Sequence, residues 1–480
     1  MKGPAMPEPM RPDLCIIGAG SGGLTVAAAA RAFGASVVLV ERGEMGGDCL
    51  NYGCIPSKSL IAAARHAEAI RRAPLFGVAA GAPLVDIAMV HEHVRDVIAS
   101  LAPNDSVERF ERMGVEVIRA EASFADARTV VAGGRAISAR RFVIATGSRP
   151  AVPAIPGLDT VPYLTNESIF DLSANPDHLV IAGGGPIGME LAQAHRRLGA
   201  RVTVIEMAEP LARDDAELTA IALRNIEREG VTILANTRVE RVAHAPGGVA
   251  VTARGPDGET VIEGSHLLVA IGRVPNLESL NLDAAGIRHD RRGIAVDEGL
   301  RSSNRRVYAI GDVAGGLHFT HVAGYHAGLV VRNAVFGLPV KVNHDIIPWA
   351  TYTDPEIAHV GLSEKAARER LGDRMKVVRW SFADNDRAHA EREAEGLVKM
   401  ITDRRGRILG AGIVGPSAGE LIALFSLAVS RKLRAADLAG FIAPYPTLSE
   451  IARRVGIEYY RDQVSNPWLR RVAALNRLLP

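Results

Sequence analysis

Cysteine is scarce in this chain, which contains only Cys15, Cys49 and Cys54 among its 480 residues. So few cysteines exclude a small fold that is held together by disulfides. They also argue against zinc, because no second Cys or Cys/His pair with ligand spacing is present. We therefore predict no metal site, and we interpret Cys15, which lies in a predicted strand, as a buried small hydrophobic residue.

The chain also has no large excess of charge of one sign and no long apolar run. The 56 basic and 54 acidic residues leave a net charge of +2, which gives no electrostatic reason to expect a nucleic-acid partner. No apolar run approaches the length of a membrane span. The Pro-rich residues 1–11 do not show the pattern of a secretory signal. The sequence thus predicts a soluble protein of a reducing cytoplasm.

The two remaining cysteines are close neighbours in the run Gly46-Gly-Asp-Cys-Leu-Asn-Tyr-Gly-Cys-Ile-Pro-Ser-Lys58. In a regular helix, positions i and i+5 lie about 8–9 Å apart, too far for a disulfide. A Cys49–Cys54 disulfide would need a distorted segment, for which Gly53 supplies freedom, and it would be easy to reduce. We interpret the pair as a redox disulfide, with two buried thiols or half of a metal site as the alternatives.

Glycine is plentiful, and two stretches of the chain use it in the same way. The first runs from Asp13 through an apolar strand into Gly18-Ala-Gly20-Ser-Gly-Gly23, then an Ala-rich helix and a second strand that ends at Glu41. Such glycines allow a tight turn and let the backbone approach a pyrophosphate at the helix N-terminus. The acidic residue then accepts hydrogen bonds from the ribose.

The second stretch repeats the first. His178-Leu-Val-Ile-Ala leads into Gly183-Gly-Gly185-Pro-Ile187-Gly188, and a later strand ends at Glu206. The last glycine and the acidic residue are 18 positions apart in both stretches. Two related dinucleotide-binding units are therefore expected. Glu206 would repel a 2′-phosphate, and its neighbours offer no basic cradle, so we favour NADH over NADPH for the second unit.

These motifs together resemble the pyridine nucleotide–disulfide oxidoreductase family from about residue 13 to residue 450. The resemblance implies an α/β fold of the glutathione reductase type, with two Rossmann-like domains and a C-terminal α+β dimerisation domain. It places an FAD-binding domain at 1–153 and 275–344, a NAD(P)-binding domain at 154–274 and an interface domain at 345–480. It also implies an obligate homodimer.

The resemblance assigns cofactor contacts as well. It implies an FAD site formed by Gly18, Gly20, Gly23, Glu41, Gly47, Lys58, Ala122, Thr146, Gly147, Gly311 and Asp312. The implied NAD(P)H site comprises Gly183, Gly185, Ile187, Gly188, Glu206 and Gly272.

Catalytic roles follow from the same resemblance. Cys49 matches the interchange thiol, which meets the substrate, and Cys54 matches the thiol that packs against the flavin. Lys58 matches the lysine near flavin N5, and Glu190 matches its ion-pair partner. A fixed positive charge at this place stabilises the reduced flavin.

The stretch Ala443-Pro-Tyr445-Pro-Thr-Leu-Ser-Glu450 departs from the commoner family pattern. Glu450 is kept, but Tyr445 stands where lipoamide dehydrogenase and glutathione reductase have the acid–base histidine. A phenol is a poor base at neutral pH, so dithiol oxidation should be slow. Mercuric reductases place a tyrosine in this region, although this chain lacks their C-terminal cysteine pair and N-terminal metal-binding domain.

The sequence therefore predicts an enzyme similar to mercuric reductase. Electrons would pass from NAD(P)H to FAD, to Cys49–Cys54, and on to a disulfide, a quinone-like molecule or a soft metal ion. The alternatives are a dihydrolipoamide dehydrogenase and a redox-sensing flavoprotein without turnover. His318 and His321 could reach the flavin or the mouth of the site, or be structural. The tail at residues 466–480 could lie on an anionic membrane, but we favour docking on the dimer.

Overall fold

The structure, a computed structural model, describes residues 8–477. The first seven of the Pro-rich residues at the N-terminus, and the last three residues of the tail, lie outside the described residues. Within the described residues, no helix is both long enough and apolar enough to cross a membrane.

The strands are short and mostly buried. In chain order they are β1 Leu14–Ile17, β2 Val37–Glu41, β3 Glu116–Arg119, β4 Ala122–Asp126, β5 Thr129–Ala132, β6 Arg135–Ile137, β7 Arg141–Ile144, β8 Ser148–Pro150, β9 His178–Ala182, β10 Arg201–Ile205, β11 Val231–Leu234, β12 Arg238–Ala245, β13 Gly248–Gly255, β14 Gly258–Gly264, β15 His266–Val269, β16 Arg273–Pro275, β17 His289–Asp290, β18 Gly293–Ile294, β19 Val307–Ala309, β20 Pro348–Thr351, β21 Glu356–Gly361, β22 Met375–Ser381, β23 Leu397–Asp403 and β24 Ile408–Gly415.

Most of the α-helices lie between strands along the chain, and the last four follow the last strand. They are α1 Ser21–Ala32, α2 Gly47–Asn51, α3 Cys54–Arg72, α4 Ile87–Leu101, α5 Val107–Arg112, α6 Pro186–Arg197, α7 Ala216–Arg228, α8 Thr320–Phe336, α9 Glu364–Leu371, α10 Asp386–Ala390, α11 Ala418–Ser430, α12 Ala435–Ala439, α13 Glu450–Glu458 and α14 Pro467–Asn476.

The chain divides into two compact units. The first contains the described residues up to 183 together with Arg197–Ile205 and Thr237–Val342, and the second contains Gly184–Arg196, Glu206–Asn236 and the described residues from 343 onward. The four domain ranges expected from the resemblance stay a prediction.

The first unit is built on a five-stranded parallel sheet in the order β19-β7-β1-β2-β3. Leu14 and Ile16 of β1 face a core that includes residues of α1 and α8. Cys15 and Ile17 point to the other side, into a core shared with the antiparallel strands β4, β5 and β6. A strand that is covered on both faces must be apolar at every position, which explains the uninterrupted apolar run of β1.

The repeat predicted from the second glycine motif has the same local form. In the first unit β9 pairs in parallel with β10 on one side and β15 on the other. All five residues of β9 are buried. An antiparallel sheet, β12-β13-β14, completes this part of the unit.

The second unit contains an antiparallel sheet in the order β20-β21-β24-β23-β22. One face of this sheet packs against the helices α11, α12 and α13, through Phe425, Leu438 and Ile451 among others. An antiparallel sheet with helices on one face is the arrangement of an α+β domain.

Candidate active site

The first glycine turn has the shape that a dinucleotide needs. A Cβ atom on Gly18, whose φ is +105°, would lie 2.4 Å from the carbonyl oxygen of Ala145, and one on Gly23 would lie 1.9 Å from the oxygen of Gly18. A Cβ on Gly20 would meet nothing within 4 Å, and no side chain caps α1. The turn is thus closed on the protein side and open over the helix N-terminus, which fits the pyrophosphate of FAD.

The acidic residue at the end of β2 is held in place by this turn. The Glu41 carboxylate accepts hydrogen bonds from the backbone N–H groups of Ala19 and Gly43, each at 2.6 Å. Gly47, whose φ is +62°, lies against Gly20, since a Cβ on Gly47 would be 2.8 Å from the Gly20 Cα. The predicted FAD residues of this region therefore surround one turn.

The second glycine motif reproduces this geometry. A Cβ on Gly183 would lie 2.4 Å from the Ala270 carbonyl oxygen, the counterpart of the Gly18 contact, and one on Gly185 would meet nothing within 4 Å. The Glu206 carboxylate accepts from the N–H groups of Gly184 at 2.6 Å and Ala208 at 2.9 Å. These residues fit a second dinucleotide with an unmodified ribose.

Two of the other predicted NAD(P)H residues, Ile187 and Gly188, are part of this motif. The third, Gly272, resembles Gly185 in having free space where a Cβ atom would lie. Ile187 is exposed in the first turn of α6, and the next residue, Gly188, is buried. Gly272 has a φ of +130°, and a Cβ atom on it would meet nothing within 4 Å.

The remaining predicted FAD residues fall into three places. Thr146 Oγ1 donates to the Asn276 carbonyl at 2.8 Å, and the Asn276 N–H donates to the Gly147 carbonyl at 3.0 Å. Gly311 begins a 3-10 turn, residues Gly311–Ala314, that also contains Asp312. Ala122 is buried at the start of β4.

The two cysteines lie on either side of a break between helices. Cys49 belongs to α2 and Cys54 begins α3. Gly53 makes the break with φ −124° and ψ −107°, and a Cβ there would lie 2.9 Å from Asp48 Oδ2. The distortion expected from the i, i+5 spacing is therefore present, and the lack of a side chain at Gly53 leaves room for Asp48. Cys49 and Cys54 are free thiols that hydrogen-bond each other.

The two thiols have opposite acidities. The pKa of Cys54 is lowered to about 6, first by the hydrogen bond from Cys49, then by the Thr320 hydroxyl and the charge of Lys58. Thr320 Oγ1 lies 3.4 Å from the Cys54 sulfur. The same Cys49–Cys54 hydrogen bond, together with burial, raises the pKa of Cys49. Above pH 6 the pair is therefore a Cys54 thiolate beside a protonated Cys49.

The structure supports the interpretation of Cys15 as a buried structural residue. It is completely buried in β1, and burial raises its pKa to about 12. A thiol without access to solvent and without thiolate character does not take part in exchange.

Thr320 was missed by the sequence analysis. It is the first residue of α8 and lies between His318 and His321, the two histidines to which the sequence drew attention. The His321 ring stacks on Phe319 with 5.3 Å between the ring centroids. The contact to Cys54 thus comes from the hydroxyl between the two histidines.

A chain of polar contacts beside the cysteines was missed as well. Asp48 Oδ1 lies 3.1 Å from an Arg273 Nη atom and accepts from Asn166 at 3.2 Å. Arg273 Nε donates to the Ser148 hydroxyl at 2.8 Å, and that hydroxyl donates to Asp312 at 2.5 Å. The residue preceding Cys49 is therefore linked to the aspartate of the predicted flavin motif. No sequence signal joins positions so far apart.

Lys58 and Glu190 lie in separate units. Lys58 is in the first turns of α3, with its Nζ 3.4 Å from the Ser57 hydroxyl. Glu190 is buried in α6, and its Oε1 accepts from the Tyr352 N–H at 2.8 Å. Their ion pair stays a prediction.

The Tyr445 loop belongs to the second unit. Tyr445 is 69% exposed, and its hydroxyl donates to Asp386 at 2.9 Å, a contact that raises the pKa of the phenol. Glu450 begins α13, where its carboxylate is buried and lies 3.6 Å from Arg454. The phenol is a hydrogen-bond donor here and not a base.

No resident metal centre is formed by the part of the chain that the structure describes, where no three His, Cys, Asp or Glu side chains cluster suitably.

Comparison with known proteins agrees with this geometry. Residues 12–327 match the family of pyridine nucleotide-disulphide oxidoreductases, and residues 347–455 match the dimerisation domain of that family. The mercuric reductase of Bacillus cereus is 36% identical over 453 residues, which cover 94% of this chain and 72% of that protein. The dihydrolipoyl dehydrogenase of Geobacillus stearothermophilus is 36% identical over 450 residues, 92% of this chain and 94% of that protein.

A solved structure is similar over almost the whole chain. It is the Cu(II) complex of RclA, an HOCl-induced flavoprotein disulfide reductase from Escherichia coli, with a TM-score of 0.82, 29% identity and coverage of 92% of this chain and 98% of that one. The comparisons confirm the predicted α/β fold, and the matched dimerisation domain supports the predicted homodimer. The chain belongs to the pyridine nucleotide-disulphide oxidoreductases, enzymes that use FAD and NAD(P)H.

Proposed function

We propose that this enzyme uses NADH to reduce a thiophilic acceptor, either a soft metal ion or a small disulfide, through Cys49 and Cys54. The observation that carries the proposal is the contact between the two thiols on either side of the Gly53 break, with the Thr320 hydroxyl 3.4 Å from the Cys54 sulfur; these contacts lower the pKa of Cys54 and raise that of Cys49. A thiolate is the reactive form of cysteine both as a nucleophile and as a metal ligand.

The side chains around the pair have defined tasks in this reaction. The turn at Gly18–Gly23, together with Glu41 and Gly47, would hold FAD, which would supply the path for an electron pair from the nicotinamide to the Cys49–Cys54 disulfide. Breaking that disulfide with two electrons and one proton leaves the Cys49 thiol and the Cys54 thiolate. Thr320 and Lys58 stabilise the negative charge on Cys54, and Cys49 meets the acceptor.

Either class of acceptor closes the cycle. For a small disulfide, Cys49 passes its proton to the Cys54 thiolate through their hydrogen bond, and its sulfur attacks the disulfide. The first half of the acceptor takes that proton from Cys54 and leaves as a thiol; Cys54 then attacks Cys49, releases the second half as a thiolate and restores the protein disulfide. A soft divalent cation is held by the two sulfurs and accepts the electron pair; Cys49 loses its proton, the Cys49–Cys54 disulfide forms again, and the metal leaves as the neutral atom. The names mercuric reductase and Cu(II) complex, which belong to a relative and to a similar structure, support the metal class.

Tyr445 disfavours dihydrolipoamide as the natural substrate. Oxidation of a dithiol needs a base near neutral pH, whereas the Tyr445 phenol donates to Asp386 and its pKa is raised by that contact. The redox-sensing alternative does not explain why Lys58, Glu190 and Glu450 are all retained.

An anaerobic titration of the purified flavin-containing protein with NADH tests the proposal. We expect a broad long-wavelength absorbance band that is absent in Cys54→Ser, present in Cys15→Ala, and discharged within seconds by Hg²⁺, Cu²⁺ or an aromatic disulfide. If NADH bleaches the flavin without this band and Cys49→Ser turns over normally, the cysteines are not on the electron path. If dihydrolipoamide is oxidised as fast as these acceptors are reduced, the enzyme is a dihydrolipoamide dehydrogenase.

The NADH preference rests on Glu206, whose carboxylate is fixed by two backbone N–H groups. We expect NADPH to have a KM at least about tenfold above that of NADH, because a 2′-phosphate would face this carboxylate. In Glu206→Ala the difference should shrink, mainly through KM. The matched control is Glu209→Ala, which removes an exposed carboxylate that contacts Asn236 nearby. Equal KM values for the two coenzymes in the unchanged enzyme would contradict the assignment.

A further inference from the structure

Arg273 occupies a central place in the first unit that no sequence motif assigned to it. It begins β16, which pairs with β8, and only 12% of its side chain is exposed. Its Nε donates to the Ser148 hydroxyl at 2.8 Å, and one Nη atom donates to the Ser148 carbonyl at 2.9 Å. The neighbouring strand thus fixes the guanidinium group with two hydrogen bonds.

Two carboxylates lie next to this one cation. Asp48 Oδ1 is 3.1 Å from an Nη atom of Arg273, and Asp312 Oδ2 is 3.9 Å from its Nε. Asp312 also accepts from the Ser148 hydroxyl at 2.5 Å. Asp48 directly precedes Cys49, and Asp312 belongs to the predicted flavin motif. A single arginine therefore joins the two ends of the predicted path from the flavin to the disulfide.

The Asp48 carboxylate also packs against the break between the two cysteines. A Cβ atom on Gly53 would lie 2.9 Å from Asp48 Oδ2. The buried Asn166 amide donates to Asp48 Oδ1 at 3.2 Å and to the Tyr52 carbonyl at 3.1 Å. Arg273 and Asn166 together therefore hold the segment that separates the cysteines, and they fix where the Asp48 charge lies within it.

We propose that Arg273 is a positioning residue shared by the two redox centres. It pairs with Asp48 beside the thiols, and it orients Asp312 for the flavin through the Ser148 hydroxyl. Reduction of the disulfide leaves one negative charge on Cys54, and the charge of an unpaired Asp48 would oppose that reduction. Arg273 removes this opposition. The inference rests on the proposed function, because it assumes that the flavin and the cysteine pair exchange electrons.

Two equilibrium measurements on the flavin-containing enzyme test this inference without turnover. Anaerobic mixtures of reduced and oxidised dithiothreitol set the redox state of Cys49–Cys54, which is read by alkylating the thiols after denaturation, with Cys15 as a constant background. The release of FAD on dilution is followed by its fluorescence. In Arg273→Met we expect a disulfide that is about tenfold harder to reduce, a fall in potential of about 30 mV, and FAD bound about tenfold more weakly.

Two variants separate the flavin side of the network from the disulfide side. Ser148→Ala removes the hydroxyl that links Arg273 to Asp312, so FAD should bind about tenfold more weakly while the disulfide potential stays unchanged. Arg273→Lys keeps the charge but not the planar fork of donors, so the ease of reduction should stay within about threefold while FAD binding weakens. These two variants also carry the test if Arg273→Met does not fold.

A second substitution distinguishes a paired charge from a general loss of structure. Arg273→Met/Asp48→Asn removes both charges, so the ease of disulfide reduction should return to within about twofold of the unchanged enzyme, although FAD stays weakly bound. Arg149→Met is the matched control, because it removes the same charge from β8, where Arg149 pairs with the exposed Glu278. It should leave the disulfide potential unchanged.

Three results would overturn the proposal. They are an unchanged potential in Arg273→Met, a lowered potential that Asp48→Asn does not restore, and unchanged FAD binding in Ser148→Ala. A fall in potential of equal size in Arg149→Met would assign the effect to overall charge and would also contradict the proposal. Failure of the proposed function looks different, because Cys49→Ser would then turn over normally while these equilibrium values still depend on Arg273.

Discussion

The thiol pair and the Tyr445 loop are two parts of the same predicted catalytic apparatus, but the thiols are surrounded by several side-chain contacts and Tyr445 by few. Cys54 is contacted by Cys49 and Thr320, and Asp48 beside Cys49 is held by Arg273 and Asn166. Tyr445 is exposed and makes a single side-chain hydrogen bond, to Asp386. The difference indicates that the acidity of the thiols is set within the first unit by many contacts. The position of Tyr445 depends on one side-chain contact.

The variant with the largest expected effect on turnover removes the Cys54 thiolate. Cys54→Ser should reduce NADH-driven turnover with a small disulfide about 1000-fold, because the hydroxyl cannot hold the negative charge at neutral pH. Tyr445→Phe, the variant on the other side of the comparison, should reduce it less than about threefold. Steady-state kinetics of both variants, with flavin content checked by absorbance, measures the contrast. Similar losses in the two variants would show that the loop matters as much as the thiols.

A substitution in the loop should change the substrate more than the rate. Tyr445→His supplies a group that titrates near neutral pH, so NAD⁺-dependent oxidation of dihydrolipoamide should rise on the order of 100-fold. Tyr445→Phe is the matched control and should show no rise. If Tyr445→His is no faster than Tyr445→Phe, the loop does not reach the interchange thiol in the dimer.

The next variant tests how far the Thr320 hydroxyl sets the acidity of Cys54. The lowered Cys54 pKa means that the thiolate is present above pH 6 and is lost as the pH falls through about 6. Thr320→Val removes a hydrogen bond to this thiolate and should raise that midpoint by about one pH unit. The long-wavelength absorbance of the reduced enzyme against pH gives the midpoint. Thr320→Ser keeps the hydroxyl and should restore it; equal shifts in both variants would mean that packing, and not the hydrogen bond, is responsible.

Substitution of Asp48 should have the smallest effect on the pH midpoint of Cys54. Its carboxylate raises the pKa of Cys49 and Cys54 by charge repulsion, although Arg273 at 3.1 Å offsets part of that charge. Asp48→Asn should therefore lower the Cys54 midpoint by less than about one pH unit, in the direction opposite to Thr320→Val. Glu278→Gln, which removes an exposed carboxylate paired with Arg149, is the charge-matched control and should leave the midpoint unchanged. A midpoint that rises in Asp48→Asn would contradict this electrostatic account.

The sequence by itself determined the local features that depend on spacing and residue type. The run of apolar residues in β1, the glycine turn that begins at Gly18 and the carboxylate at Glu41 follow from residue type and spacing within about 30 residues of chain. The same holds for the second motif around Gly183, and for the break in the helix between Cys49 and Cys54 that Gly53 permits. Local sterics and periodicity decide such features, so they can be read without knowing the fold.

Only the tertiary structure decided which residues set the reactivity of the thiols. Thr320 is 266 positions from Cys54, and Arg273 is more than 200 from Asp48, yet each lies within 3.4 Å of its partner. No periodicity or motif links such distant positions, because their meeting depends on how remote parts of the chain fold together. The acidity of Cys54 is a sum of hydrogen bonds and charges over that packed environment, and therefore belongs to the fold and not to the motif.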